Sequence, residues 1–342
     1  MRTDLNPREV MAAGRDILLS GLGQPPQSRH AFAENDELTL ADLAYAAGAI
    51  ARKPQTGEFD RAVMGRGLAT TDFSKLLADS GQAVVSRTYT AAADHLSYTS
   101  IVTAKDFRHI DLPGLDADIR LDLLNEISEF TQADAPIAPG AQAVQLTTYG
   151  RALHISRQVV INDAYGFLRQ LFSNIGASGA RKEAELLATQ LESAQLLDDG
   201  ATVFNATNTL ASVLSPEAVG AAMALMRNAL TPAGQKSDLA ARHLIVSPEQ
   251  ELHASTLVRD SGLNISVHSL ANLPAKRWFL LADPAIQPVI GLLRLAGSKT
   301  ATTVEPAVKR FDHDGVAVKL RADLGCVLLS RTGIVKAGAD LA

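Results

Sequence analysis

Near residue 115 the hydrophobic repeat changes from helical to alternating, and no other feature limits the possible folds of the chain so much. Ile119, Leu121 and Leu123 are separated by Arg120 and Asp122, and a second alternating run, Val144, Leu146 and Thr148, follows the turn-rich segment 135–142. Alternation sends successive side chains to opposite faces of a strand, so the two runs predict a long hairpin. Two strands alone are marginal in water and need another surface to lie on. The segment reads as an arm, and another subunit is a natural cover for its apolar positions.

Before the arm the chain reads as helix, with no strand expected in the first hundred residues. Asn6, Pro7 and Glu9 supply an N-cap, a first-turn proline and an acidic third position, Val10, Ile17 and Leu18 follow, and Gly21 and Gly23 close the pattern. Residues 24–27 form a linker. A second helix is predicted from Thr39 to about Arg52, and a third after Asp72 through Phe73, Leu76, Leu77 and Val84. After the arm, Asn162-Asp163 opens the longest helical stretch; if continuous to about residue 196 it spans roughly 50 Å. Gly176 and Gly179 predict a kink or a close backbone approach at its middle. Asp198-Asp199-Gly200 ends it.

Beyond residue 200 helices and strands mix. Ser215-Pro216-Glu217 and Ser247-Pro248-Glu249 each start a helix, the second stopping near Gly262. Strands are predicted at 243–246, 265–270, 278–282, 316–320 and 326–330, with Asp314-Gly315 as a hairpin turn. Helices first and a mixed region afterwards define an α+β class, and 342 residues favour two packed modules.

Composition narrows the function. Only 20% of residues are charged, which suggests surface destined for burial, and 32 Lys and Arg against 37 Asp and Glu give a net charge of -5. That is the wrong sign for tight binding through phosphate neutralisation. The single cysteine, Cys326, excludes an intrachain disulfide and a cysteine zinc cluster and fits a reducing compartment. The sequence has no signal-like leader and no run of about eighteen apolar residues, so a soluble, non-secreted protein without membrane contact is expected.

Motifs for chemistry are incomplete. Gly65-Arg66-Gly67 lacks both the preceding strand and the third glycine of a dinucleotide fingerprint, and Gly176, Gly179 and Lys182 lack phosphate-loop spacing. Asp312-His313-Asp314-Gly315 lacks the remaining ligands of a calcium loop and reads as a turn. The eight histidines are scattered, and Cys326 in an apolar strand reads as a small hydrophobe. No catalytic, cofactor-binding or metal-binding residue is expected, and no cofactor.

Six stretches carry a resemblance: TTDFSKLLADSGQAVVSRTY (70–89), AKDFRHIDLPG (104–114), LTTYGRALHISRQVVINDAYGFL (146–168), DDGATVFNATNTLA (198–211), RWFLLADPA (277–285) and FDHDGVAVKLRADLGCVLL (311–329). In these the chain resembles the major capsid proteins of tailed bacteriophages, in particular the Mu-like major head subunit and prohead-protease-fused relatives. The resemblance implies the Hong Kong 97 capsid fold and no enzymatic activity. It divides the chain into a helical N-terminal extension (1–68), an N-terminal arm (69–114), an extended loop (115–157), a peripheral domain with a spine helix (158–199), a mainly axial domain (200–300) and C-terminal strands returning to the peripheral domain (301–342). It further implies hexamers and pentamers closing an icosahedral head around double-stranded DNA, contacted weakly and without sequence preference. Portal and decoration proteins are its implied partners, and its location is the virion, assembled in the bacterial cytoplasm. The other readings are a non-viral encapsulating shell of the same fold and an α+β enzyme with a site assembled from distant residues.

In the type member of that fold, an extended-loop lysine joins an asparagine of a neighbouring subunit. Here no lysine lies between Lys105 and Lys182, and arginine stays protonated and cannot serve as the amine nucleophile. Arg120, Arg151 and Arg157 are instead the candidate inter-subunit contacts, available for bidentate pairing with carboxylates. A shell held by non-covalent contacts is expected, with segment 1–68 retained.

Overall fold

The computed structural model describes residues 6–25, 39–52, 60–68, 71–114, 138–162, 165–232, 234–298, 300–306 and 315–339. Its helices are α1 (Pro7–Gly21), α2 (Leu40–Ala51), α3 (Asp60–Leu68), α4 (Thr71–Ala92), α5 (Arg157–Ile161), α6 (Tyr165–Glu192), α7 (Pro216–Asn228) and α8 (Glu251–Asp260). Its strands are β1 (Ser100–Ala104), β2 (Ile110–Leu112), β3 (Ala141–Val144), β4 (Thr147–Ser156), β5 (Thr209–Leu210), β6 (Ala241–Val246), β7 (Ser266–Ser269), β8 (Trp278–Ala282), β9 (Ile290–Leu295), β10 (Thr302–Pro306), β11 (Gly315–Leu328) and β12 (Ile334–Ala337). The chain forms two compact units: residues 1–93, 148–181 and 299–323 make the first, and residues 94–147, 182–298 and 324–342 the second.

The first unit begins as the local signals direct. The Asn6 side chain accepts a hydrogen bond from the Arg8 amide at 3.1 Å, and Pro7 opens α1. Thr39 and Asp42 close a reciprocal capping box on α2, with bonds of 3.2 and 3.0 Å. Helix α3 was not expected from the sequence, because Gly65 and Gly67 lower helix propensity. A tertiary contact requires one of them. A Cβ at Gly67 would lie 1.6 Å from the Ala44 carbonyl oxygen, and one at Gly48 would lie 1.9 Å from that of Val63, so α2 and α3 touch backbone to backbone. Helix α6 passes α4 in a similar way, with Gly176 against the Val85 carbonyl and the Phe172 ring filling the space above Gly81. Of the two outcomes expected for Gly176 and Gly179, the observed one is close packing within a continuous helix. Twenty-eight residues make that helix about 42 Å long. It starts at Tyr165, after the short separate helix α5, and ends at Glu192. In the same unit the Gln82 amide behaves like an extra strand: its Oε1 accepts from the Val304 amide at 2.7 Å and its Nε2 donates to the Thr302 carbonyl at 3.0 Å.

The second unit is built on the sheet β5-β12-β8-β6-β7, parallel at β5/β12 and β6/β7 and antiparallel between β12, β8 and β6. All five residues of β8 are buried, because each face of the sheet is covered. Trp278 and Leu280 join the cluster formed with Ala218, Val219 and Ala222 of α7 and Ala254 and Leu257 of α8. Phe279 and Leu281 join Leu187 and Leu191 from the end of α6. Four residues of β11, Gly325 to Leu328, pair antiparallel with β9, which pairs parallel with β1.

The runs at 316–320 and 326–330, read as two strands, belong mainly to one strand, β11, whose residues 318–322 pair with β10 and whose last four pair with β9. The change of partner falls between Ala322 and Gly325, at the end of the polar stretch, and is not a break. Strands β1, β2, β5 and β9 have no counterpart among the expected strands, β10 and β12 fall in the segment for which the resemblance implies strands without bounds, and β1 opens at the edge of the supposed all-helical first hundred residues. The strand read at 119–123 and the Asp312-His313-Asp314 part of the proposed turn lie outside the described residues.

Candidate assembly surface

The arm has a defined base in the second unit. Strands β2 and β3 pair antiparallel, Ile110 with Val144 and Leu112 with Ala141, with a register shift between them. Beyond that pair the two backbones close to contact. A Cβ at Gly114 would fall 1.7 Å from the Ala138 carbonyl oxygen, and one at Gly140 would fall 2.0 Å from that of Leu112. Only glycine fits both positions. The base is anchored by the Asp198 amide donating to the Gly140 carbonyl at 3.0 Å and by Gln145 Nε2 donating to the Phe107 carbonyl at 3.1 Å. Beneath it Ala141, Val144 and Leu146 pack with Ala104, Leu293 and Val327.

Of the three arginines singled out as inter-subunit contacts, Arg120 lies outside the described residues. Arg151 stands exposed on β4, and Arg157 is the half-buried first residue of α5. Strand β4 is exposed over most of its length, with Ile155 its one buried residue. In the first unit, Thr148 donates to Asp323 Oδ1 at 2.6 Å.

Three polar clusters, all in the second unit, escaped sequence reasoning. Glu183, 1% exposed, takes His95 Nε2 on one oxygen at 2.9 Å and Arg294 Nη1 on the other. Glu192 takes Arg277 and Lys336, each at 3.0 Å, and the Lys336 ammonium also lies 5.0 Å above the Phe204 ring and donates to the Leu191 carbonyl. Asp94, His268 and His243 form a chain of bonds beside Tyr98. Their members are 25 to 174 residues apart, so no local spacing announces them. At the surface Arg331 grips Asp199 with two bonds, 3.0 and 3.3 Å, and these bonds hold the Asp199 carboxyl below the usual carboxylate range. Cys326 is packed against a hydrophobic cluster, and burial pushes its thiol pKa upward. That is the opposite of what a nucleophilic cysteine needs. Glu183 and Glu192 are each paired with two basic side chains within the second unit. Among the described residues no group of three His, Cys, Asp or Glu side chains converges to hold a metal ion, and no helix is long and apolar enough to cross a membrane.

What the second unit does present is a pinched two-stranded base, closed by the Gly114–Ala138 and Gly140–Leu112 backbone contacts. A family model described as phage capsid protein matches residues 140–337, more than half of the chain, and the chain belongs to that family. Its fold is an α+β capsid fold, and its role is that of a non-enzymatic shell subunit of the virion. No curated protein sequence matches it. Among solved structures it is similar to the virus-like particle from Pyrococcus furiosus, at 10% identity and a TM-score of 0.49 over 76% of this chain and 98% of that one. It is similar to the holo-SrpI encapsulin complex from Synechococcus elongatus, at 8% identity and a TM-score of 0.47 over 75% and 88%. It is also similar to the procapsid of bacteriophage JBD30, at 12% identity and a TM-score of 0.42 over 78% and 76%.

Proposed function

We propose that the chain is the major head subunit of a tailed bacteriophage, of Hong Kong 97 type, and that hexamers and pentamers of it close around packaged double-stranded DNA. The observation that carries this reading is the arm base. Gly114 and Ala138 are in backbone contact, so residues 115–137 leave and return at one point. A there-and-back excursion of that length reaches at most about 35 Å, enough to lie across a neighbour. Residues 115–157 then serve as the extended loop, α6 as the spine helix, and the sheet around β8 as the core of the axial domain. Arg151 and Arg157, together with Arg120, pair with carboxylates of adjacent subunits. Exposed apolar residues such as Leu252 and Ile286, 81% and 70% exposed, are covered in the shell. The acidic chain touches DNA weakly and without sequence preference. Portal and decoration proteins join the shell, which assembles in the host cytoplasm.

The test removes the arm and leaves its base. Replacing residues 115–137 by an Asn-Gly turn suits the pinched backbone. The variant is expected to fold, with the circular dichroism and unfolding transition of the parent, and to remain as free subunits or capsomers where the parent makes particles. Closed particles of normal yield from the armless chain would contradict the proposal.

A further inference from the structure

In the second unit, Asp94, His243 and His268 come together at the edge of the sheet. Strands β6 and β7 run parallel with His243 opposite Ser266 and Ile245 opposite His268, so the two imidazoles share one face, two residues apart along the ladder. His243 Nδ1 lies 3.1 Å from His268 Nε2, and His268 Nδ1 lies 2.7 Å from Asp94 Oδ2. Tyr98 covers the pair, its ring centroid 4.7 Å from that of His268 and 6.1 Å from that of His243. His268 is 8% exposed, whereas the Asp94 carboxylate is at the surface. Strand β7 is the last strand of its sheet and pairs within it with β6 alone.

The geometry fixes the proton count. A neutral imidazole has one N–H and one acceptor nitrogen. With both rings neutral, His268 gives its Nδ1–H to Asp94, so its Nε2 accepts from His243 Nδ1–H. One proton can then be added at His243 Nε2 without breaking either bond. A second proton must go on His268 Nε2, where it faces His243 Nδ1–H across 3.1 Å. The side-chain bond between His243 on β6 and His268 on β7 is lost and replaced by a contact between two donors on two cations. The charged and titratable groups facing the pair are Asp94 and Tyr98 from the segment before β1, Asp283 after β8 and Arg242 on β6.

We propose that the Asp94–His268–His243 chain is an acid-sensitive latch on the sheet edge, closed at neutral pH and opened by the second proton, which loosens β7 from β6. Burial first, and then the neighbouring imidazole, hold His243 below the ordinary histidine range, against the opposite pull of Asp283 and Asp94. The unfolded chain therefore binds the first proton, the one His243 takes, more readily than the folded one. The contribution of His243 to stability is full above the unfolded value, about 6.5, and declines as pH falls through it.

Hydrogen exchange followed by mass spectrometry on the full-length protein tests this at about pH 7.5 and about pH 5, with labelling times scaled for intrinsic exchange. Peptides covering β7 are expected to lose protection severalfold in acid while those covering β8 keep theirs. In His243→Gln, whose amide can bond to His268 but takes no proton, the acid loss is expected to vanish. In Asp94→Asn, which removes an attraction for the protons, it is expected to move to lower pH. Equal protection of β7 at both pH values in the parent would overturn the proposal. So would an unchanged acid loss in His243→Gln, or an unshifted one in Asp94→Asn should the first variant fail to fold.

Discussion

Glu183→Gln removes one charge and almost no volume from the most buried ionic cluster of the second unit. In the parent, the carboxylate is 1% exposed and holds His95 on one oxygen and Arg294 on the other, with Arg294 itself 7% exposed. The substitution leaves the Arg294 guanidinium protonated inside the protein, with the Leu293 carbonyl at 3.2 Å as a remaining acceptor. Removing one partner of a buried pair in this way costs about 3–5 kcal/mol, most of it the penalty of the stranded charge. The second unit holds about 190 residues, for which unfolding entropy near the midpoint is about 0.4 kcal/mol/K, so its Tm should fall by about 8–12 °C. Differential scanning calorimetry on unassembled full-length chain, at one protein concentration, reads this directly, since assembly would itself raise Tm. A triple variant, Glu183→Leu with His95→Leu and Arg294→Met, removes every charge and should recover most of the loss. A Tm for Glu183→Gln within about 2 °C of the parent, or a triple variant worse than the single one, would refute the reasoning.

The remaining predictions concern packing and covalent state. Gly67→Ala sets a methyl 1.6 Å from the Ala44 carbonyl and must drive α2 and α3 apart; a loss of about 1–3 kcal/mol is expected, read as faster limited proteolysis within residues 39–68. Cys326 should resist iodoacetamide in the native protein and react fully in denaturant, because burial keeps its thiol protonated. Mature particles boiled in denaturant should give a single monomer band with or without reductant, since residues 106–181 contain no lysine and the only thiol is half-buried against a hydrophobic cluster with its pKa raised; a ladder of oligomers would show a covalent mesh.

What the sequence disclosed was what is encoded locally. Asn6-Pro7, Thr39 and Ser215-Pro216 each supply a cap and a stop for the chain's alternatives, and each starts a helix as expected. The apolar run Trp278–Ala282 was legible because it is short and bounded. Helix α3 was not, since Gly67 weakens a helix locally and is required only by its neighbour α2. Strand β9, IGLLRL, does not alternate because its neighbours bury both faces, and Gly291 at its start suggests no strand. Gly140 sits in a segment that reads as turn-rich and Gly114 carries no local signal of its own; only the close approach of each to the opposite backbone shows the pinch. The ionic clusters were invisible for the same reason: Glu183 meets residues 88 and 111 positions away.

The central claim, that copies of this chain close into a shell through a projecting arm, is tested most directly by cryo-electron microscopy of full-length protein under assembly conditions. Closed icosahedral particles are predicted, with density for residues 115–137 leaving the β2–β3 base of one subunit and lying on the next. A protein that stays monomeric across all assembly conditions, or particles in which that segment folds back on its own subunit, would contradict the account.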